Sequence, residues 1–200
     1  MNINEYMNIE KFNYEQYCDY LQEKYGIGRS DYFTKSWNKN HKCTRTAEGL
    51  VAHHKFEDHA ALLSTPKEAM NFPFDWQKSE NIVYCDYLEH LLLHILICES
   101  EHKNALKNEI VGIGGILQFI VPELNDVYSG WQTNQIWRAN CHNKIIDDKD
   151  VYLVLIKRLK DNCHSYPLYN DLLLLSSYNN LFGLWNRENN SKIFNEISSL

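Results

Sequence analysis

The run ENIVYCDYLEHLLLHILICE, residues 80–99, constrains the fold more tightly than any other part of the chain. It opens with a β-rich stretch, NIVYC at 81–85, and passes at once into a helix-start signal. Asp86 is placed to cap the helix, and Glu89, three residues on, can reach back to the cap. This spacing predicts a helix from about Tyr87 to Cys98. Leu88, Leu91, Leu92 and Ile95 form its apolar face. His90 and His94 stand one turn apart on it, so both imidazoles leave from the same side. Such a pair can grip one metal ion if a further ligand arrives from elsewhere. Equally, each ring can be a polar spot satisfied by a carbonyl or a water. Taken alone, the helix leaves both readings open.

A second short strand is predicted upstream. In GLVAHHKF, residues 49–56, Gly49 marks a turn and Leu50, Val51 and Ala52 are apolar, so the strand ends in His53 and His54. Alternation along a strand sends adjacent side chains to opposite faces. A long connection from Glu57 to Glu80 follows, broken by a short helix at TPKE, residues 65–68, where Thr caps and Pro takes the first helical position. His59 with Glu57 and Asp58 offers spare metal or proton-handling capacity, although a solvated loop is the favoured reading, and NFPFDWQ, residues 71–77, reads as a cover for the core or a substrate-facing insertion.

The whole chain has 200 residues, of which 44% are hydrophobic, enough for one sizeable core. No stretch approaches about 18 consecutive apolar residues, and the opening MNINEYMNIEKFNYEQYCDY is acidic and polar. A cytoplasmic protein with no membrane partner is therefore expected. Cysteines 18, 43, 85, 98, 141 and 163 fall singly, without a C-x-x-C pair, which fits reduced thiols better than a disulfide framework. The net charge of −6 argues against coating nucleic acid by bulk electrostatics. One segment departs from that balance. RSDYFTKSWNKNHKCTR, residues 29–45, sets Arg29, Lys35, Lys39, Lys42 and Arg45 against the single acid Asp31, with aromatic rings interleaved. Lys35, Trp37, Lys39, Lys42 and Arg45 are the candidate nucleic-acid contacts, although a solvated loop with a few core-seeking rings produces the same text.

The order of these pieces resembles the ββα-metal motif of the HNH, or His-Me finger, endonucleases. The likeness lies in His53-His54 ending one strand, Asn81-Ile82-Val83 opening the next, and His90 and His94 on the helix after it. It is similar both to the nuclease domains of DNase colicins and to phage-type HNH endonucleases, and it covers roughly residues 45–99. The resemblance implies that His54 is the general base and that Asn81 holds its ring. It assigns His53, His90 and His94 to one divalent ion, with Mg2+, Mn2+, Ni2+ and Zn2+ all open, and it makes DNA the substrate. The chain departs from the family in its long loop between His54 and Asn81 and in lacking paired cysteines for a stiffening zinc site.

Elsewhere the text speaks of architecture. Residues 5–26 carry an aromatic stripe that predicts one helix ended by Gly26 and Gly28. GIGG, residues 112–115, is not a dinucleotide fingerprint and reads as a packing turn. Helices are predicted over 147–164 and 169–185, either of which could meet a second copy or a protein partner. The two Cys-His pairs, at 141–142 and 163–164, are not expected to meet as a zinc site.

The expectation is an α+β fold, a mostly helical chain with an embedded ββα-metal motif on a short two-stranded sheet. It divides into an N-terminal helical and basic-aromatic segment (1–44), a nuclease core (45–100) and a helical C-terminal region (101–200). The function expected is metal-dependent hydrolysis of DNA phosphodiester bonds by His-activated water. The alternative is a non-catalytic, metal-stabilised protein-binding module on the same fold.

Overall fold

In the computed structural model, which describes residues 1–100, 110–181 and 187–200, two short strands lie between a layer of helices and a covering of loops and short turns. Strand β1 (Val51–His54) pairs antiparallel with β2 (Ile82–Cys85), with Val51 opposite Cys85 and His53 opposite Val83. The pleat therefore puts Val51, His53, Val83 and Cys85 on one face and Ala52, His54, Ile82 and Tyr84 on the other. The α+β expectation holds.

The remaining elements cover those two faces. At the N-terminus, α1 (Ile3–Ile9) and α2 (Tyr14–Tyr25) replace the single helix expected over 5–26. The break is set by Asn13, whose side chain accepts from the Gln16 amide at 2.9 Å while Gln16 returns a bond to the Asn13 amide at 3.0 Å. This capping box starts a new helix where the aromatic stripe alone suggested continuity. In the long connection, α3 (Pro66–Ala69) is a single turn. The helix α4 (Tyr87–Glu99) follows β2 directly, and its Asp86–Glu89 capping box forms as expected.

After it come α5 (Ile113–Gly115), a π turn at Ile116–Ile120, and α6 (Val121–Tyr128). Pro122 has no amide hydrogen to return to the preceding turn, and the widened turn lies just before it. Helices α7 (Ile136–Asn143) and α8 (Lys149–Cys163) complete the middle of the chain, and α8 packs along α4. Arg158 of α8 clamps Glu99 at the end of α4 with two bonds of 2.7 and 2.8 Å.

The apolar stretch 169–185 does not form the single helix expected of it. Among the described residues it gives a 3-10 turn at Asp171–Leu175 and the short α9 (Tyr178–Leu181). The Asn125 amide takes the carbonyls of Leu174 and Ser176 at 2.9 and 2.8 Å, so those groups are withdrawn from any helical ladder. Helix α10 (Ser191–Ser198) then closes over α8.

One apolar cluster draws on α1, α2, α4, α6, α8 and α10, with Leu88, Leu91 and Leu92 fully buried. Burial of each such leucine contributes about 1.5–3 kcal/mol. A smaller cluster of Tyr32, Phe33, Cys43, Ala69 and Ile82 lies on the other face of the hairpin, with Trp37 and Phe74 against it. The hairpin is thus sandwiched, and its two histidines end in different surroundings. No helix among the described residues is long and apolar enough to cross a membrane.

Candidate metal centre

His53 leaves β1 toward α4, where its ring lies 5.3 Å from that of His90 and 5.2 Å from that of His94. The 3-10 turn Lys55–Asp58 begins immediately after β1 and swings Glu57 back beneath them. His53, Glu57, His90 and His94 each offer one ligand atom, and these atoms all lie within 4.8 Å of one another. This group could hold a metal ion. The three histidines are those expected from sequence, and Glu57, read there as spare metal capacity in a loop favoured as solvated, joins them.

The hydrogen bonds around the group bear on which nitrogens are free. His94 Nδ1 lies 2.9 Å from the Gly112 carbonyl oxygen, which can only accept. The ring therefore donates there, and in its neutral form Nε2 is left bare. That atom lies 3.2 Å from His90 Nε2 and 3.4 Å from Glu57 Oε2. The Tyr14 hydroxyl lies 3.1 Å from the Lys55 carbonyl, to which it can only donate, and 2.8 Å from His53 Nε2. With the hydroxyl proton on that carbonyl, Nε2 donates to the hydroxyl and His53 Nδ1 is bare as well; it is buried, lacks a hydrogen-bond partner, and lies 3.4 Å from Glu57 Oε2. Two bare nitrogens and a carboxylate oxygen thus converge with His90 Nε2, which carries at most one proton. Lone pairs outnumber protons, the condition a cation resolves.

The protonation directions agree with that geometry. Burial, reinforced by the neighbouring imidazoles, pushes His53 down to about 3 and His90 well below its ordinary value. Burial alone would raise the Glu57 carboxyl, but the surrounding histidines hold it well below the usual carboxylate range. Neutral imidazoles and an ionised carboxylate are the forms that ligate.

The GIGG segment supplies the seat of His94. Gly112 adopts φ +79, and a Cβ there would lie 2.9 Å from Cys98 Sγ and 3.0 Å from the His94 carbonyl oxygen. A Cβ on Gly115 would come within 2.4 Å of His94 Cε1. Only a glycine lets this backbone approach the ring so closely. The packing turn expected from sequence packs against His94, one of the four candidate ligands.

His54 points the other way. Its ring lies 4.4 Å from that of Tyr32 and is fully buried. Nε2 meets Gln77 Oε1 at 2.9 Å, while Gln77 Nε2 donates to the Leu63 carbonyl at 3.3 Å, which fixes the amide's orientation. His54 Nδ1 faces Glu57 Oε1 at 3.2 Å. The structure does not bring Asn81 to this ring. Its amide donates to the Asp75 carbonyl at 2.8 Å, because the 3-10 turn Ser79–Asn81 sets it outside β2. Gln77 occupies the place expected for Asn81. No local signal in NFPFDWQ distinguishes it, since its role depends on a loop folding back across the sheet.

The basic segment divides in the same way. Lys35, Lys39 and Lys42 are exposed. Trp37 is half-buried against Phe33 and Phe74, and Arg45 is committed to Glu48, the Tyr25 carbonyl and the face of Tyr84. Trp37 and Arg45 therefore hold the segment together, and the three lysines remain presentable to phosphate. Phe56, Trp76 and Phe72 stack with parallel rings 4.8 and 5.0 Å apart, so the two ends of the long connection are packed together. Of the Cys-His pairs, His142 bonds to Glu123 and His164 lies exposed, which keeps them apart as expected. In comparisons with known proteins, the chain matches no protein-family model, no curated protein and no solved structure.

Proposed function

We propose that the chain is a metal-dependent nuclease of the HNH type that hydrolyses DNA phosphodiester bonds. The observation that carries this reading is the convergence of His53 Nδ1, His94 Nε2, His90 and Glu57 on a ββα unit, with more lone pairs than protons among them and His53 Nδ1 left without a partner. Three imidazoles and one carboxylate suit a first-row transition ion such as Mn2+, Ni2+ or Zn2+ better than Mg2+, which prefers oxygen ligands. Bound there, a divalent ion would stabilise charge on the phosphoryl oxygens and on the departing 3′ oxygen.

The chain's own groups supply the proton handling. Gln77 Oε1 holds a proton on His54 Nε2, so Nδ1 is the basic nitrogen, directed toward Glu57 beside the metal ligands. In this reading His54 Nδ1 takes the proton from the attacking water as the water oxygen bonds to phosphorus and the bond to the 3′ oxygen breaks. Gln77 does what the resemblance assigned to Asn81, fixing the tautomer and the ring. Lys35, Lys39 and Lys42 supply positive charge on the outer side of the hairpin.

A second reading is favoured by one specific observation. His54 is fully buried, and Glu57 brings the protein donors to four, the number that closes a structural tetrahedral site. On that reading the metal stabilises a binding module and nothing is cleaved. Plasmid nicking separates the two. Protein would be incubated with supercoiled plasmid and Mg2+, Mn2+, Ni2+ or Zn2+ in turn. The nuclease reading predicts nicking with at least one ion and a loss of about 100-fold or more in His54→Ala. Equal rates for wild type and His54→Ala under every ion leave the binding module.

A further inference from the structure

Among the four groups of the metal centre, His90 also faces outward, into a cleft of about 330 Å³. The walls of this cleft include Phe119, Trp137 and Tyr178, with Arg138 and Glu123 among its polar groups. Phe119 is 53% exposed and Trp137 is 47% exposed, so neither ring belongs to the core. Two large aromatic side chains left at the mouth of a cleft present flat apolar surface to whatever enters.

The charges in the cleft cancel. Arg138 grips Glu123 through two nitrogens, one at 2.6 Å, and His142 Nε2 approaches the same carboxylate at 2.5 Å. The guanidinium is further occupied by ring faces, lying 4.6 Å from the Trp131 centroid and 5.9 Å from that of Tyr178. Its charge is spent within the protein, so the cleft offers no net field for a phosphate. It suits an uncharged, planar, aromatic group whose attached phosphate lies at the metal side, next to His90.

From this we infer that the cleft is a nucleobase subsite, in which a base unstacked from the scissile strand lies against Trp137 and Phe119 while its phosphate reaches the metal centre. The inference rests on the nuclease reading and names its substrate class, single-stranded or locally unpaired nucleic acid. A base inside a duplex keeps both faces stacked and cannot enter. Stacking on aromatic side chains tolerates any base, so the subsite confers strand selectivity without sequence selectivity.

The test uses the full chain loaded with Mn2+ and a fluorescently labelled oligothymidylate, with a duplex of equal length as the comparison. Binding is read by anisotropy at fixed salt, cleavage by gel, and metal uptake separately for every variant. The inference predicts at least about tenfold preference for the single strand, a loss of roughly 5- to 100-fold in Trp137→Ala, most of the affinity retained in Trp137→Phe, and unchanged metal uptake in both. If wild type cleaves but prefers duplex, or Trp137→Ala binds oligothymidylate as tightly as wild type, the subsite is wrong and the nuclease reading survives. If Trp137-dependent binding appears but no ion supports cleavage, the subsite stands and the nuclease reading falls. Failure of wild type to bind either strand form overturns both.

Discussion

His53 and His54 are neighbours in sequence and opposites in structure. On the α4 side of the hairpin, His53 keeps one nitrogen bare and aims it at Glu57, His90 and His94. On the aromatic side, His54 meets Gln77 through Nε2, turns Nδ1 toward Glu57 and lies under Tyr32. On one face the lone pairs of His53, His94 and Glu57 crowd together, and on the other the Gln77 amide fixes one nitrogen of His54 and leaves Nδ1 turned toward Glu57. Identical side chains one residue apart thus do different work, because the pleat delivers them to different neighbours. Glu57 joins the two sides, with Oε2 in the metal group and Oε1 on His54.

The contrast can be broken most forcefully from the ligand side. Replacing His90 or His94 with Ala should lower metal affinity by more than the about 10- to 100-fold that outer partners typically cost. His54→Gln should stay within that range, since it reaches the ion only through Glu57. Equilibrium dialysis against Zn2+ or Ni2+ measures both, and an equal loss in the two would erase the distinction between the faces.

Removing the metal comes next in size. An ion at about 100 times its Kd adds about 2.7 kcal/mol, which for a chain of this size corresponds to roughly 5–10 °C in Tm. Calorimetry before and after chelation should show that drop in wild type and almost none in His94→Ala. A drop of the same size in the variant would move the ion elsewhere.

The glycines of the 112–115 turn sharpen the comparison further. Gly115→Ala drives a methyl group into the His94 ring and should cost about 1–3 kcal/mol together with metal affinity. Gly114 is also helical, and a Cβ there meets nothing within 4 Å. Gly114→Ala should therefore stabilise the fold by roughly 0.5–1 kcal/mol and leave metal binding alone. Denaturant titration of the two variants, which sit side by side, reads the difference directly.

The smallest expected effect concerns the outer lysines. Charge reversal at Lys35, Lys39 and Lys42 should weaken binding to duplex DNA and flatten the slope of log affinity against log salt, by roughly 0.9 for each phosphate that the protein no longer neutralises. An unaltered slope would remove this segment from the interface.

How much of this was legible depended on the range of the interactions involved. The hairpin strands, the Asp86–Glu89 box and the paired histidines of α4 are written in local spacing, and all form where the periods and caps place them. Glu57 was a weaker signal, four residues after His53 but hidden in what read as a solvated loop. Gln77 was not legible, because its hydrogen bond with His54 requires the whole connection from 57 to 80 to fold back. The single helices expected over 5–26 and 169–185 failed for a related reason. Asn13 splits one by a short polar cap that starts a second helix and that an aromatic stripe obscures, and Asn125, distant in sequence, takes the carbonyls needed by the other.

The central claim is that one ion sits among His53, Glu57, His90 and His94. Titration with Co2+, followed through its visible ligand-field absorption, tests it most directly. The account predicts saturation at one ion per chain, a spectrum of nitrogen and oxygen ligation without thiolate bands, and loss of the signal in a His90→Ala, His94→Ala double variant that remains folded. An undiminished signal in that double variant, or no binding by wild type at micromolar Co2+, would contradict it.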